Sequence, residues 1–257
     1  MARSLALCVV PARLGSSRFP GKVLAELAGK PLVRHAYERA SAASLVGAVV
    51  VATDSPEVER AVARFGGRVV RVDVPCPTGS DRVAAAAKDL PGDLVVNLQA
   101  DQPRIHPSDI DRVIGRLVSA PDLDMTTLAF RSEDPAGYAS RDVVKVVTDG
   151  RGRALYFSRA GIPASRDASG TPWYFHHVGI YCFRRAALER FAALPQSDLE
   201  RLESLEQLRA LEDGMSIGVV LSDSGCAGVD RERDLDEAVR ALASEGPRPG
   251  EGPGEDG

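Results

Sequence analysis

Lysine is scarce in this chain. Only Lys22, Lys30, Lys88 and Lys145 appear among its 32 basic residues, the remainder being arginine. Such a bias puts Arg at indifferent surface positions, so a Lys directly after Pro20-Gly21 marks a place where a compact ammonium suits better than a planar fork. Cysteine is sparse too. Cys8, Cys76, Cys182 and Cys226 show no metal-type spacing, which excludes a zinc module and reads as reduced thiols in the cytoplasm. No stretch approaches the ~20 apolar residues of a membrane span, and the first apolar run is too short for a signal sequence. The formal net charge of −4 leaves no global basic field, so nothing points to nucleic acid. There is no internal repeat.

What the chain does have is an apolar run, 5–10, leading into Pro11-Ala12-Arg13-Leu14-Gly15-Ser16-Ser17-Arg18-Phe19-Pro20-Gly21-Lys22. The run reads as a buried strand, and the loop offers three cations, two hydroxyls and two glycines before a helix begins at Pro31. Small residues let backbone N–H groups approach a polyphosphate, while Arg13, Arg18 and Lys22 can neutralise a nucleoside triphosphate. The Gly-Lys-Ser/Thr ending of a P-loop is missing, as is the Gly-x-Gly-x-x-Gly of a dinucleotide site.

Strand signals at 48–52, 68–72 and 94–98 alternate with helix signals at 55–65, 80–90 and 108–117. That alternation predicts an α/β architecture, a mostly parallel sheet with helices on both faces. After residue 124 the pattern turns to strands at 125–130, 143–147, 154–157 and 175–183, with a hairpin turn at Asp149-Gly150-Arg151-Gly152. This predicts a β-rich lobe, about 124–184, inserted in a single domain spanning 1–244. Residues 199–211 read as one helix, although leucines at every third position drift around its axis. A strand at 217–221 and a helix at 233–242 close the fold. Residues 245–257 hold Gly, Pro and acid without apolar side chains, the composition of a disordered tail.

Ligands of open α/β sheets sit beyond the carboxyl ends of the strands. The strand at 94–98 is followed by Gln99-Ala100-Asp101-Gln102-Pro103, which places Asp101 to hold Mg²⁺ against phosphate oxygens. Asp230, in Gly228-Val229-Asp230-Arg231, is the best second carboxylate, whereas Asp234 suits the first turn of the last helix. At Gly79-Ser80-Asp81-Arg82, Ser80 reads as a helix N-cap, and Arg82 is within reach of phosphate or base.

With these residues the chain resembles the 3-deoxy-manno-octulosonate (Kdo) cytidylyltransferases. The matching segments, in order, include the Pro-Ala-Arg to Pro-Gly-Lys loop, Val51-Ala52-Thr53-Asp54, Thr78-Gly79-Ser80-Asp81-Arg82, Val144-Lys145-Val146-Val147, Tyr156-Phe157-Ser158-Arg159, His177-Val178-Gly179-Ile180-Tyr181, Leu205-Glu206-Gln207 and Gly228-Val229-Asp230. The resemblance implies a Rossmann-like nucleotidyltransferase fold and transfer of CMP from CTP to an anionic small-molecule acceptor, Kdo first. It also implies Mg²⁺, no membrane or nucleic-acid partner, and a homodimer joined largely through the lobe. By the same resemblance Arg13, Ser16 and Lys22 bind triphosphate, Arg82 and Gln99 lie at the nucleotide, and Asp101 with Asp230 holds the metal. Arg159, His177, Glu206 and Gln207 line the acceptor pocket, and Arg13, Lys22 and Asp101 carry the catalysis.

The chain departs from the family where Gln-Gly-Asp-Glu-Pro is usual. Gln102 removes a negative charge beside the metal site, and Ala100 adds a methyl where backbone should approach the nucleotide. A small phosphonate such as phosphonoformate is therefore an alternative acceptor for the same CMP transfer. A catalytically silent nucleotide-binding regulator is a third reading, opposed by intact Lys22, Asp101 and Asp230.

Overall fold

A computed structural model describes residues 5–15, 19–166, 173–223, 225, 228–229, 234–236 and 238–240. Ser16, Arg18, Cys226, Asp230 and the expected tail at 245–257 lie outside the described residues. The chain opens with β1 (Ala6–Pro11), then a 3₁₀ turn at Lys22–Leu24 and a short hairpin, β2 (Glu26–Leu27) with β3 (Lys30–Pro31). Next come α1 (Leu32–Ser41), β4 (Val46–Thr53), α2 (Pro56–Arg64), β5 (Val69–Arg71), α3 (Gly79–Ala87), β6 (Leu94–Leu98) and α4 (Pro107–Ser119). The second half runs β7 (Met125–Ser132), α5 (Pro135–Ala139), β8 (Lys145–Thr148), β9 (Ala154–Ser158), β10 (Tyr174–Arg184), α6 (Arg185–Ala193), α7 (Asp198–Glu203), α8 (Gln207–Glu212) and β11 (Ile217–Ser222).

The central sheet has the order β11-β7-β10-β6-β1-β4-β5. Neighbours among β6, β1, β4 and β5 are parallel, as are β7 and β11, while β10 runs antiparallel to both β6 and β7. The sheet is therefore mixed but mostly parallel. Along β1 the side chains alternate between two cores, Cys8 and Val10 on one face and Leu7 and Val9 on the other, the period-2 pattern of a strand covered on both sides. On the first face α1, α2 and α4 bring Val33, Val58 and Ile110. On the second, α3, α6 and α8 bring Val83, Phe191 and Leu208.

Three expectations need adjustment. The β-rich segment is not set apart from the sheet: β7 and β10 are central strands, and only β8 and β9 extend outward from β10. The single helix expected over 199–211 is two helices, because Ser204 adopts the left-handed conformation (φ 52°, ψ 49°) and ends α7. The N-cap of α3 is Thr78, paired with Asp81 in a capping box, rather than Ser80.

Candidate active site

The carboxyl edge of the sheet brings the first loop to the end of β6. Gly21, at φ 71°, donates its N–H to the Leu14 carbonyl and folds the loop back on itself. Lys22 then reaches across, its Nζ 2.5 Å from Oδ2 of Asp101, with the two side chains 12% and 23% exposed. The chain after β11 returns to the same spot, where the Val229 N–H donates to the Asp101 carbonyl at 2.8 Å. Val229 immediately precedes Asp230 in sequence. Hard carboxylate oxygen from Asp101 fits the donor chemistry of Mg²⁺. Among the described residues no group of three or more His, Cys, Asp or Glu gathers as a metal site.

Below Asp101 lies a cavity of about 190 Å³ that Gln99, Asp101, Asp142, Arg159, His177 and Gln207 help to line. Three of the four residues expected at the acceptor thus meet there. His177, on β10, is 8% exposed and packs edge-on against Phe157. Burial, reinforced by His176, pushes its imidazole down to about 3, so the ring is neutral. Gln207 heads α8, and its Oε1 accepts from the Tyr181 hydroxyl at 3.0 Å. Arg159 is partly spent on scaffolding, donating to the carbonyls of Glu203, Arg141 and Ser204. Lys145, fully buried on β8, gives its ammonium to the carbonyls of Ser140, Val143 and Arg159.

Glu206 does not join that cavity. It helps to line a second one of about 480 Å³ with Arg13, Thr78 and Gly79. Its carboxylate accepts from the Ser80 N–H at 3.1 Å and the Ser80 hydroxyl at 2.8 Å, filling the N-terminal end of α3. Burial raises its pKa against the lowering effect of those hydrogen bonds. Asn97 donates to Ser80 at 2.9 Å, and Gln99 donates to Asn97 at 2.9 Å. This chain of hydrogen bonds links the two cavities. It also explains Gly79, where a Cβ would lie 2.9 Å from the Gln99 amide nitrogen.

Arg82, expected at the nucleotide, helps to line neither cavity. It is 5% exposed, and its guanidinium donates to the Val72 carbonyl at 3.2 Å and to Asp54 at 2.8 Å. It thereby satisfies the chain end beyond β5. The Ala100 methyl is packed in the apolar core. Gln102 is 8% exposed, its amide nitrogen against Gly228 and its Oε1 buried without a partner among the described residues. The sequence reading also missed Thr127 and Tyr181, which contact His177 and Gln207. The only signal for Thr127 was a pair of threonines in a strand whose other residues up to Phe130 are apolar.

A mostly parallel α/β sheet whose carboxyl edge joins a cation-bearing loop to a carboxylate defines a nucleotidyltransferase. A family model described as cytidylyltransferase matches residues 7–217. A protein from Anaeromyxobacter sp. called 3-deoxy-manno-octulosonate cytidylyltransferase is 48% identical over 242 residues, 93% of this chain and 97% of that one. Its counterpart from Geobacter sulfurreducens is 45% identical over 244 residues, covering 91% and 98%. Among solved structures, CMP:2-keto-3-deoxy-manno-octonic acid synthetase complexed with CTP superposes with a TM-score of 0.86 at 40% identity, covering 93% of this chain and 99% of that one. The chain belongs to the 3-deoxy-manno-octulosonate cytidylyltransferase family.

Proposed function

We propose that the protein transfers CMP from CTP to Kdo, releasing pyrophosphate. An acceptor hydroxyl gives up its proton to solvent as its oxygen attacks the α-phosphorus in line, a new P–O bond forms, and the bond to the pyrophosphate oxygen breaks. The single observation that carries this reading is the Lys22–Asp101 contact beside the cavity that holds Arg159, His177 and Gln207. It sets charge for a triphosphate next to a small polar chamber suited to a hydroxylated acid.

Lys22 and Arg13 would oppose the triphosphate charge, and Gln99 would border both substrates. In this reading Asp101, with Asp230, would hold Mg²⁺. When bound, the ion supplies neutralisation of phosphate charge. Arg159 lines the chamber, and its charge favours a carboxylate there. His177 and Gln207 would read acceptor hydroxyls. Glu206 acts at one remove, by fixing Ser80 and, through Asn97, the Gln99 amide.

The test is a competition of Kdo, sialic acid and phosphonoformate at equal concentration with CTP and Mg²⁺, following pyrophosphate and the CMP product by mass. Kdo is expected to be consumed first, because buried polar groups built for hydroxyls are left unpaired by an acid that lacks them. Consumption of phosphonoformate without Kdo would overturn the sugar reading and leave cytidylyl transfer standing.

A further inference from the structure

The pairing of β10 with β7 is irregular beside the acceptor cavity. His177 and Val178 sit opposite Ala129 and Leu128, yet the next pair is Tyr181 with Thr127, so Gly179 and Ile180 are extra on β10. Ile180 keeps its register with Leu98 of β6. On the β7 side its carbonyl accepts a hydrogen bond from the Thr127 hydroxyl at 2.7 Å. Thr127 is fully buried, and the same oxygen lies 2.8 Å from Nε2 of His177.

A hydroxyl has one proton to give. The Ile180 carbonyl can only accept, so the Thr127 proton is committed there, and the His177–Thr127 hydrogen bond must take its proton from the ring. Nε2 therefore carries the hydrogen. A neutral imidazole has one N–H, which leaves Nδ1 with a lone pair. Nδ1 has no hydrogen-bond partner among the described residues. Gln207 presents the opposite polarity: its Oε1 is taken by Tyr181, and its buried Nε2 is an unmatched donor.

We propose that Thr127 is a positioning residue that locks His177 in its Nε2–H tautomer, so that Nδ1 accepts a hydrogen bond from a hydroxyl of the acceptor. The proposal rests on the reading of this cavity as the acceptor site. Thr127 touches no substrate itself. It converts a ring that could be donor or acceptor into a committed acceptor, facing a chamber where Gln207 supplies a committed donor. A polyhydroxy acid matches that pair, since each hydroxyl can donate to one group and accept from the other.

The experiment combines nitrogen-15 NMR of the histidine rings with kinetics on the full chain. In the wild type, the His177 resonance, assigned by its loss in His177→Gln, is expected to show a protonated Nε2 and an unprotonated Nδ1. Thr127→Val keeps the shape, removes the acceptor for Nε2–H, and is expected to shift that signature toward Nδ1–H. It is also expected to raise KM for Kdo by about tenfold while kcat and KM for CTP stay within about twofold, the size of one lost neutral hydrogen bond. Thr127→Ser is expected to restore both readouts. A wild-type His177 protonated on Nδ1 would overturn the proposal, as would Thr127→Val with unchanged tautomer and unchanged KM for Kdo. Should Thr127→Val fail to fold, the wild-type and Thr127→Ser spectra decide. Failure of the acceptor reading looks different: the tautomer signature persists in a protein that turns over no Kdo.

Discussion

Lys22 shows how much chemistry one side chain can take from its setting. As one of four lysines it is a point charge in a chain that otherwise chose guanidinium, and its ammonium meets the Asp101 carboxylate at 2.5 Å. Lys22→Ala is expected to lower turnover and raise KM for CTP, with Lys22→Arg restoring only part, because a planar fork is no substitute for a compact charge. Asp101→Asn keeps the shape and removes the anionic oxygen. A loss on the order of 10²–10³-fold in turnover with little change in melting temperature is expected, and near-normal pyrophosphate release at limiting Mg²⁺ would refute both roles. His177 makes a separate prediction about pH. Burial lowers its pKa from the ordinary 6.5 to about 3, so below pH 6.5 the unfolded chain binds a proton that the folded one refuses. Stability is therefore expected to fall between pH 6.5 and 3 through this group, by up to about 1.4 kcal/mol per pH unit. His177→Gln should flatten that slope in urea titrations, and an unchanged slope would contradict a buried neutral ring. Lys22 and Asp101 were legible in the sequence because charge and turn residues cluster there. Thr127 was not, because threonine is an ordinary strand residue and its role appears only once an irregular strand pairing brings Ile180 beside it.

At the scale of elements, the α7–α8 pair is held to the sheet by charge buried against apolar packing. Arg209 of α8 is 3% exposed and meets Glu200 of α7 through two hydrogen bonds of 2.7 and 2.8 Å. It also reaches Asp81 of α3 at 3.1 Å, with its guanidinium over the Phe191 ring of α6. Removing it strands two carboxylates. Arg209→Met is expected to destabilise the fold by roughly 3–5 kcal/mol, read from denaturant midpoints at neutral pH, and a loss below 1 kcal/mol would show that the cluster is solvated instead. Since α8 begins at Gln207, the same variant should loosen the acceptor cavity. The sequence marked these helices as one. No glycine announces the break, and the residue that makes the turn is a serine in the left-handed conformation, something composition alone does not reveal. The main alternating β and α elements of the first half were legible to within about three residues at each end, because buried strands and amphipathic helices have different periods, while the short β2–β3 hairpin was not.

The whole molecule has an apolar face still to account for. On the β-rich segment Leu155 is 61% exposed and Trp173 is 44% exposed. The homodimer that the family resemblance implies would cover this region, and Leu155→Glu is expected to shift the protein from dimer to monomer in light scattering. A wild-type monomer would dismiss the dimer outright. No described helix is long and apolar enough to cross a membrane. The position of β10 reaches further. Among the described residues it alone connects β6 to β7, antiparallel to each, and it is made late in the chain. On the ribosome, β6 leaves the exit tunnel with one edge bare, and that edge stays bare until Tyr174–Arg184 has been synthesised. The nucleotide half is thus a nascent template for foreign strands throughout the making of the acceptor half. The sheet is thus closed across its middle by one late strand, and both halves of the candidate site depend on it.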